Sequence, residues 1–142
     1  MAEPGSSTPQ PAATARPAPT PVGNPFVAAV AAWLVPGLGH IYLKKVSRGL
    51  VFLLLVLVSI WVGCHLKGNL YRPMPNQPLS ALGTLGAMGM GIPYFVLRFG
   101  SGYAGDIIAP GFEYGTAFLL TAGLMNWLLV LDAWDISRGK KE

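Results

Sequence analysis

His40 and His65 are the only histidines, and Cys64 the only cysteine, in a chain of 142 residues. A zinc site needs three or four N, S or O ligands at recognisable spacing, which these residues do not supply. A single cysteine also excludes an internal disulfide and any cysteine-based metal cluster. Inside its apolar run Cys64 reads as an inert buried thiol, with juxtamembrane palmitoylation as the sharper alternative. Asp132 and Asp135 stand three apart and share adjoining parts of one helix face. Two carboxylates converging on a water could run aspartyl hydrolysis. On neighbouring turns at a helix end, however, they read as capping or salt-bridge groups. No serine or cysteine nucleophile stands beside a base. Residues 100–105, Gly-Ser-Gly-Tyr-Ala-Gly, match GxGxxG in form. The phosphate-binding fingerprint needs a preceding strand and a following helix. Here the match follows an apolar segment and runs into Asp106 and Pro110, so it reads as a flexible loop. No catalytic residue, cofactor site or metal site is expected, and no enzyme activity.

The elements that must position these residues are set by where charge is missing. Only sixteen residues are charged, and none falls within 25–43, 49–64, 73–97 or 114–131. A charge at the bilayer centre costs ~2.5–3.5 kcal/mol even on the lenient insertion scale. Exclusion on this scale predicts an all-α integral membrane protein, with three to four transmembrane or re-entrant helices in one domain, 25–142. The net charge of +4 is scattered at segment ends, as membrane anchors are, so no nucleic-acid partner is expected. Residues 1–24 hold six prolines and almost nothing to bury, which predicts a disordered Pro/Ala-rich tail. It lacks the charged start, apolar core and cleavage site of a signal peptide. A partner that reads proline-rich segments is the sharper alternative.

Segment one starts at Asn24-Pro25, a good helix start. Its apolar stretch, Phe26 to Val35, is about 15 Å long at 1.5 Å per residue. It then meets Pro36-Gly37-Leu38-Gly39, which should kink or break it. It crosses only if helix resumes through His40-Ile41-Tyr42-Leu43; otherwise it is re-entrant or interfacial. Segment two, Gly49 to Leu66, is uniformly apolar, with Lys44, Lys45 and Arg48 at one end and Trp61, His65 and Lys67 at the other. Residues 68–78 read as a loop. Segment three, Leu79 to Leu97, places Gly83, Ala87 and Gly91 four apart, a small-residue face that lets helices approach closely in lipid. Pro93 keeps a re-entrant alternative open. Segment four, Gly115 to Leu131, carries Asn126 near its middle and ends at Asp132-Ala-Trp134-Asp135. A membrane asparagine commonly hydrogen-bonds across a helix interface, for ~0.6 kcal/mol on average.

The run Pro36-Gly37-Leu38-Gly39-His40-Ile41-Tyr42-Leu43, a short basic linker and Arg48-Gly49 before an apolar helix resembles a known signature. It is the PGxGHxYLG pattern of small bacterial membrane proteins related to the two-transmembrane-helix domain. Leu131-Asp132-Ala133-Trp134 is similar to the Asp-Ala-aromatic close of those families. The resemblance covers residues 26–66 and 116–140. This chain departs from it by inserting residues 67–115 and by carrying Lys44 where glycine is common. The resemblance implies a bacterial group of unknown function, expected in the cytoplasmic (inner) membrane, with no enzyme activity. From the residues alone, Pro36, Gly37, Gly39, His40, Tyr42 and Gly49 describe a helix-hairpin corner. Tyr42 anchors at the interface, and Lys44, Lys45 and Arg48 meet lipid phosphates. His40 and Asp132 each sit at the interfacial end of an apolar segment and at the two ends of the resembled signature, so they are expected to pair.

Topology is in conflict if all four segments cross. The 44–48 linker and the C-terminal tail are both basic but would then lie on opposite sides. If one segment between 49 and 131 fails to cross, both can be cytoplasmic, and segment three is the natural one to fail. Two function classes follow. The first is a non-enzymatic membrane protein that acts by helix packing, with itself or with a membrane-protein partner. The alternative is a subunit of a small oligomeric transporter or channel, its path lined by Asn126, Asp132 and His40.

Overall fold

The computed structural model describes residues 20–140, so the expected disordered tail lies outside the described residues up to position 19. The described residues form six α-helices and one π-helical stretch, with no strand. They are α1 (Pro25–Leu34), α2 (Leu38–Tyr42), α3 (Val46–His65), α4 (Pro78–Met88), α5 (Ile92–Phe95) and α6 (Phe112–Ser137), with the π turn at Val96–Gly100. Two helices, α3 and α6, are long and apolar enough to cross a membrane. At 1.5 Å per residue they measure about 30 and 39 Å.

Helix α6 serves as a ruler for everything else. The chain enters α1 through Asn24, whose side chain accepts from the Phe26 amide at 3.0 Å, with Pro25 in the first turn. The helix stops at Val35, which is extended (φ −130°, ψ 119°) because the proline after it excludes the helical region. Gly37 then takes φ +82°, a conformation open to glycine at little cost, and the chain turns back. Helix does resume, as α2, but it returns alongside α1. A Cβ on Gly39 would meet the Ala28 carbonyl and the Ala32 methyl at 2.6 Å and Ala133 at 3.1 Å. Segment one is therefore a hairpin. It lies along the C-terminal half of α6, with Ala28, Ala32 and Ala133 fully buried between its arms and that helix.

Segment three is also broken, which corrects the expectation of one packing helix over 79–97. After α4, Gly89 and Met90 close the last turn, and Gly91 adopts φ +70°, ψ −134°. Gly91 sits against the Trp33 and Leu34 carbonyls at the tip of the first hairpin, where any side chain would collide. Helix α5 then returns, and Tyr94 donates to the Tyr71 carbonyl at 2.9 Å. This second hairpin leans on the N-terminal half of α6: Gly86 faces Leu120, and Gly89 faces Gly123. Two hairpins thus approach from opposite ends of α6 and touch near its middle.

The core between α3, α6 and the second hairpin is built on Val56, Ile60, Leu70, Met90, Tyr94 and Leu119. Ser59 ties α3 to α6 by donating to the Phe118 carbonyl at 2.9 Å. At the far end of α3, the Tyr103 hydroxyl donates to the Gly68 carbonyl at 3.0 Å. Burial, with a smaller contribution from the neighbouring Cys64, pushes the Tyr103 phenol up to about 12. Helix α6 extends beyond both ends of segment four, with Asp132 just over one turn inside its C-terminal end and Asp135 in its last turn.

Close packing of α4 on α6 sets the first test. A Cβ on Gly123 would strike the Gly86 carbonyl and lie 3.0 Å from Ala87 Cα, while one on Gly100 would meet only Val96, at 3.7 Å. Gly123→Ala should lower stability by about 1–3 kcal/mol through overpacking. Gly100→Ala should stay within ~0.5 kcal/mol of the parent. Thermal unfolding of both variants in detergent checks the pair.

Candidate functional site

The polar groups with chemical potential gather at two levels of α6. At the upper level stands Asp132, six residues beyond Asn126 on α6. The Nε2 of His40, delivered by α2, lies 3.0 Å from Asp132 Oδ2. His40 is fully buried, and the Asp132 side chain is 28% exposed. With the carboxylate as acceptor, the ring proton belongs on Nε2, and Nδ1 is left buried without a hydrogen-bond partner. The ring packs edge-on against Phe52 of α3, with centroids 5.4 Å apart. Asp135 is not part of this contact.

The same level shows where the corner residues go. A Cβ on Gly49 would meet the Gly37 carbonyl at 2.7 Å and Ile41 at 2.8 Å, so α2 lies flush on the start of α3. Pro36, Gly37, Gly39 and Gly49 are buried, whereas Tyr42 is exposed and lies beside Gly23. Lys44, where the resembled pattern has glycine, holds φ +62°, a conformation that glycine adopts more cheaply.

The lower level belongs to Asn126, fully buried in the middle of α6. Its amide nitrogen faces the carbonyls of Ala32 at 3.1 Å, Trp33 at 3.3 Å and Gly89 at 2.8 Å. The first two are end carbonyls of α1, and the third follows the end of α4. A helix leaves its last four carbonyls without intrahelical partners. Here nearly all of them are accounted for. Ala31 accepts from the Val35 amide, and Ala32 and Trp33 from Asn126. Gly86, Ala87 and Met88 accept from the amides of Gly89, Met90 and Gly91. The Trp33 indole adds a bond to Met88 at 3.2 Å, and the Trp127 indole donates to Leu85 at 3.1 Å. Two helix C-termini, each carrying about half a negative charge, therefore face the donor end of one amide dipole. Asn126 Oδ1 is buried without a hydrogen-bond partner.

A family model described as a family of unknown function, DUF6677, matches residues 27–142. The chain belongs to that family. Comparison with curated proteins and with solved structures found no match. The DUF6677 match takes in the first hairpin from its third residue, the second hairpin, both long helices and every residue of the two polar levels.

The expected packing face of this DUF6677 chain is divided in three. Gly83 faces the Tyr71 ring, Ala87 packs against Gly123 within the core, and Gly91 caps α5 against the first hairpin. The tightest α4–α6 approach uses Gly86, Gly89 and Gly123 instead. Gly123 was open to detection as a small residue three before Asn126. His65 stacks on Trp61 at 5.5 Å and takes no part in either level. Among the described residues no group of three or more His, Cys, Asp or Glu could hold a metal ion.

The upper contact makes a defined energetic claim. A hydrogen bond to a charged group contributes ~1.5–3 kcal/mol, and the partial exposure of Asp132 places this one toward the lower end. His40→Ala, Asp132→Ala and the double variant should show a coupling energy of about 1–2 kcal/mol in detergent melts. Additive losses would mean that the contact contributes nothing of its own.

Proposed function

We propose that this chain is a non-enzymatic integral membrane protein of the bacterial cytoplasmic membrane. In this reading α3 and α6 cross the bilayer, and the two hairpins enter from opposite faces without crossing. Its role is exerted through assembly, with a second copy or with a larger membrane complex. The observation that carries the reading is the use made of buried polar side chains. His40, Asn126 and Ser59 are each engaged in holding one helix to another. They are not gathered around a cavity where a substrate could meet them. In lipid, irregular backbone is tolerated only where protein satisfies it, and the hairpin tips meet that condition through Asn126.

Two crossings also remove the topological conflict. The start of α1, the 44–48 linker and the C-terminal end of α6 then share one side. Among the described residues that side holds Lys44, Lys45, Arg48, Arg138 and Lys140, against Lys67, Arg72 and Arg98 opposite. The positive-inside rule assigns the richer side to the cytoplasm. A transporter subunit is the weaker reading, because Asn126 and His40 are buried within a single copy and engaged there.

Cysteine labelling tests the reading. With Cys64 replaced by alanine, single cysteines at Ser47, Ser101 and Lys140 all occupy exposed positions. A membrane-impermeant thiol reagent should label Ser101→Cys in intact cells, and Ser47→Cys and Lys140→Cys only after lysis. Labelling of Ser47→Cys and Lys140→Cys from opposite sides would remove the two-crossing arrangement.

A further inference from the structure

A groove of about 970 Å³ is lined by residues of α4, α6 and the 69–77 loop. Its lining is mixed in chemistry: the 69–77 loop supplies Asn69, Arg72 and Gln77, and the two helices supply Leu82, Leu85 and Leu124. Gly83 and Gly86 also line it. Arg72 is exposed and forms no ion pair among the described residues. Its backbone is nevertheless held in place. The Arg72 carbonyl accepts from Ser80 at 2.6 Å, and that of the preceding Tyr71 accepts from Tyr94 at 2.9 Å. The neighbouring first turn of α4 has no acidic residue and no capping side chain to compete for an anion.

We propose that this groove binds one anionic phospholipid, with its phosphate on Arg72 and an acyl chain along Leu82, Leu85 and Leu124. An amphiphile with a negative head and an apolar tail matches an exposed cation beside the leucines of this groove. Arg is suited to the head because its planar fork donates two parallel bonds to phosphate. A second copy of the chain fits less well. A two-fold contact through this face would bring like patches together and set the two Arg72 side chains near one another. Among the described residues near the N-terminal end of α6, the acids are Asp106, already 3.5 Å from Lys67, and Glu113. The proposal rests on the membrane reading above but can fail separately from it.

The full-length chain would be reconstituted into vesicles of equal phosphatidylglycerol and phosphatidylcholine, released into mild detergent and weighed by native mass spectrometry. One retained lipid per chain is expected. Phosphatidylglycerol should be enriched about fivefold over phosphatidylcholine, the preference that one arginine near the surface confers. Arg72→Gln should remove that preference without lowering the melting temperature, because the bonds from Ser80 and Tyr94 reach backbone atoms only. Leu124→Trp, which fills the groove, should abolish retention of either lipid. Equal retention of the two lipids by the parent chain would overturn the proposal, as would enrichment that survives Arg72→Gln. So would a lipid-free dimer crosslinked through Leu82→Cys. A chain that never partitions into the vesicles would instead refute the membrane reading itself.

Discussion

A helix that stops inside an apolar environment exposes carbonyls that no solvent can satisfy, at a cost of several kcal/mol for each group left bare. This chain stops two helices in such a place, α1 at Leu34 and α4 at Met88, and one side chain bridges the two stops, while turn amides and the Trp33 and Trp127 indoles satisfy the end of α4. The Asn126 amide reaches Ala32, Trp33 and Gly89 together. A carboxylate there would set negative charge against carbonyl oxygens, and an aliphatic side chain would leave them bare. An amide NH2 group, with two partially positive hydrogens to donate, has the chemistry that the position needs. Asn126 sits midway along the longest helix, so it also fixes how deep each hairpin reaches.

The glycines are the second half of the same solution. A hairpin of short helices buries little surface unless its arms lie flush on their neighbours. Gly39 lets α2 meet α1 and Ala133, Gly49 admits the Gly37 carbonyl, and Gly123 admits Gly86. These are close approaches of backbone to backbone, in which dispersion accumulates over many small contacts. The His40–Asp132 contact then closes the upper end, where polar groups can still reach water. The fold is thus held by packing along its length and by hydrogen bonds at the points where helix is interrupted.

Much of this could be read along the chain. Pro36-Gly37 announced the first break, because proline excludes helix before it and glycine takes the positive φ after it. His40 and Asp132 could be paired on paper, since each is a polar group at the end of an apolar run. Segment three was harder. Its small residues recur at intervals that suit a packing helix as well as a broken one. The break at Gly89–Gly91 depends on the Trp33 carbonyl, fifty-eight positions before Gly91, which no local pattern reveals. Four charge-free stretches suggested three to four helices in the membrane. Only two helices have the length to cross, since a stretch free of charge does not distinguish a crossing from a hairpin that turns back.

The central physical question is whether Asn126 holds both tips at once. Hydrogen–deuterium exchange on the Asn126→Leu variant, in bilayer nanodiscs, measures this most directly, because leucine keeps the size and removes the donor. The account predicts that the amides around both tips, residues 35–41 and 89–94, lose protection together, while the centre of α3 keeps its own. Unchanged protection at both tips, or loss at only one of them, would contradict it.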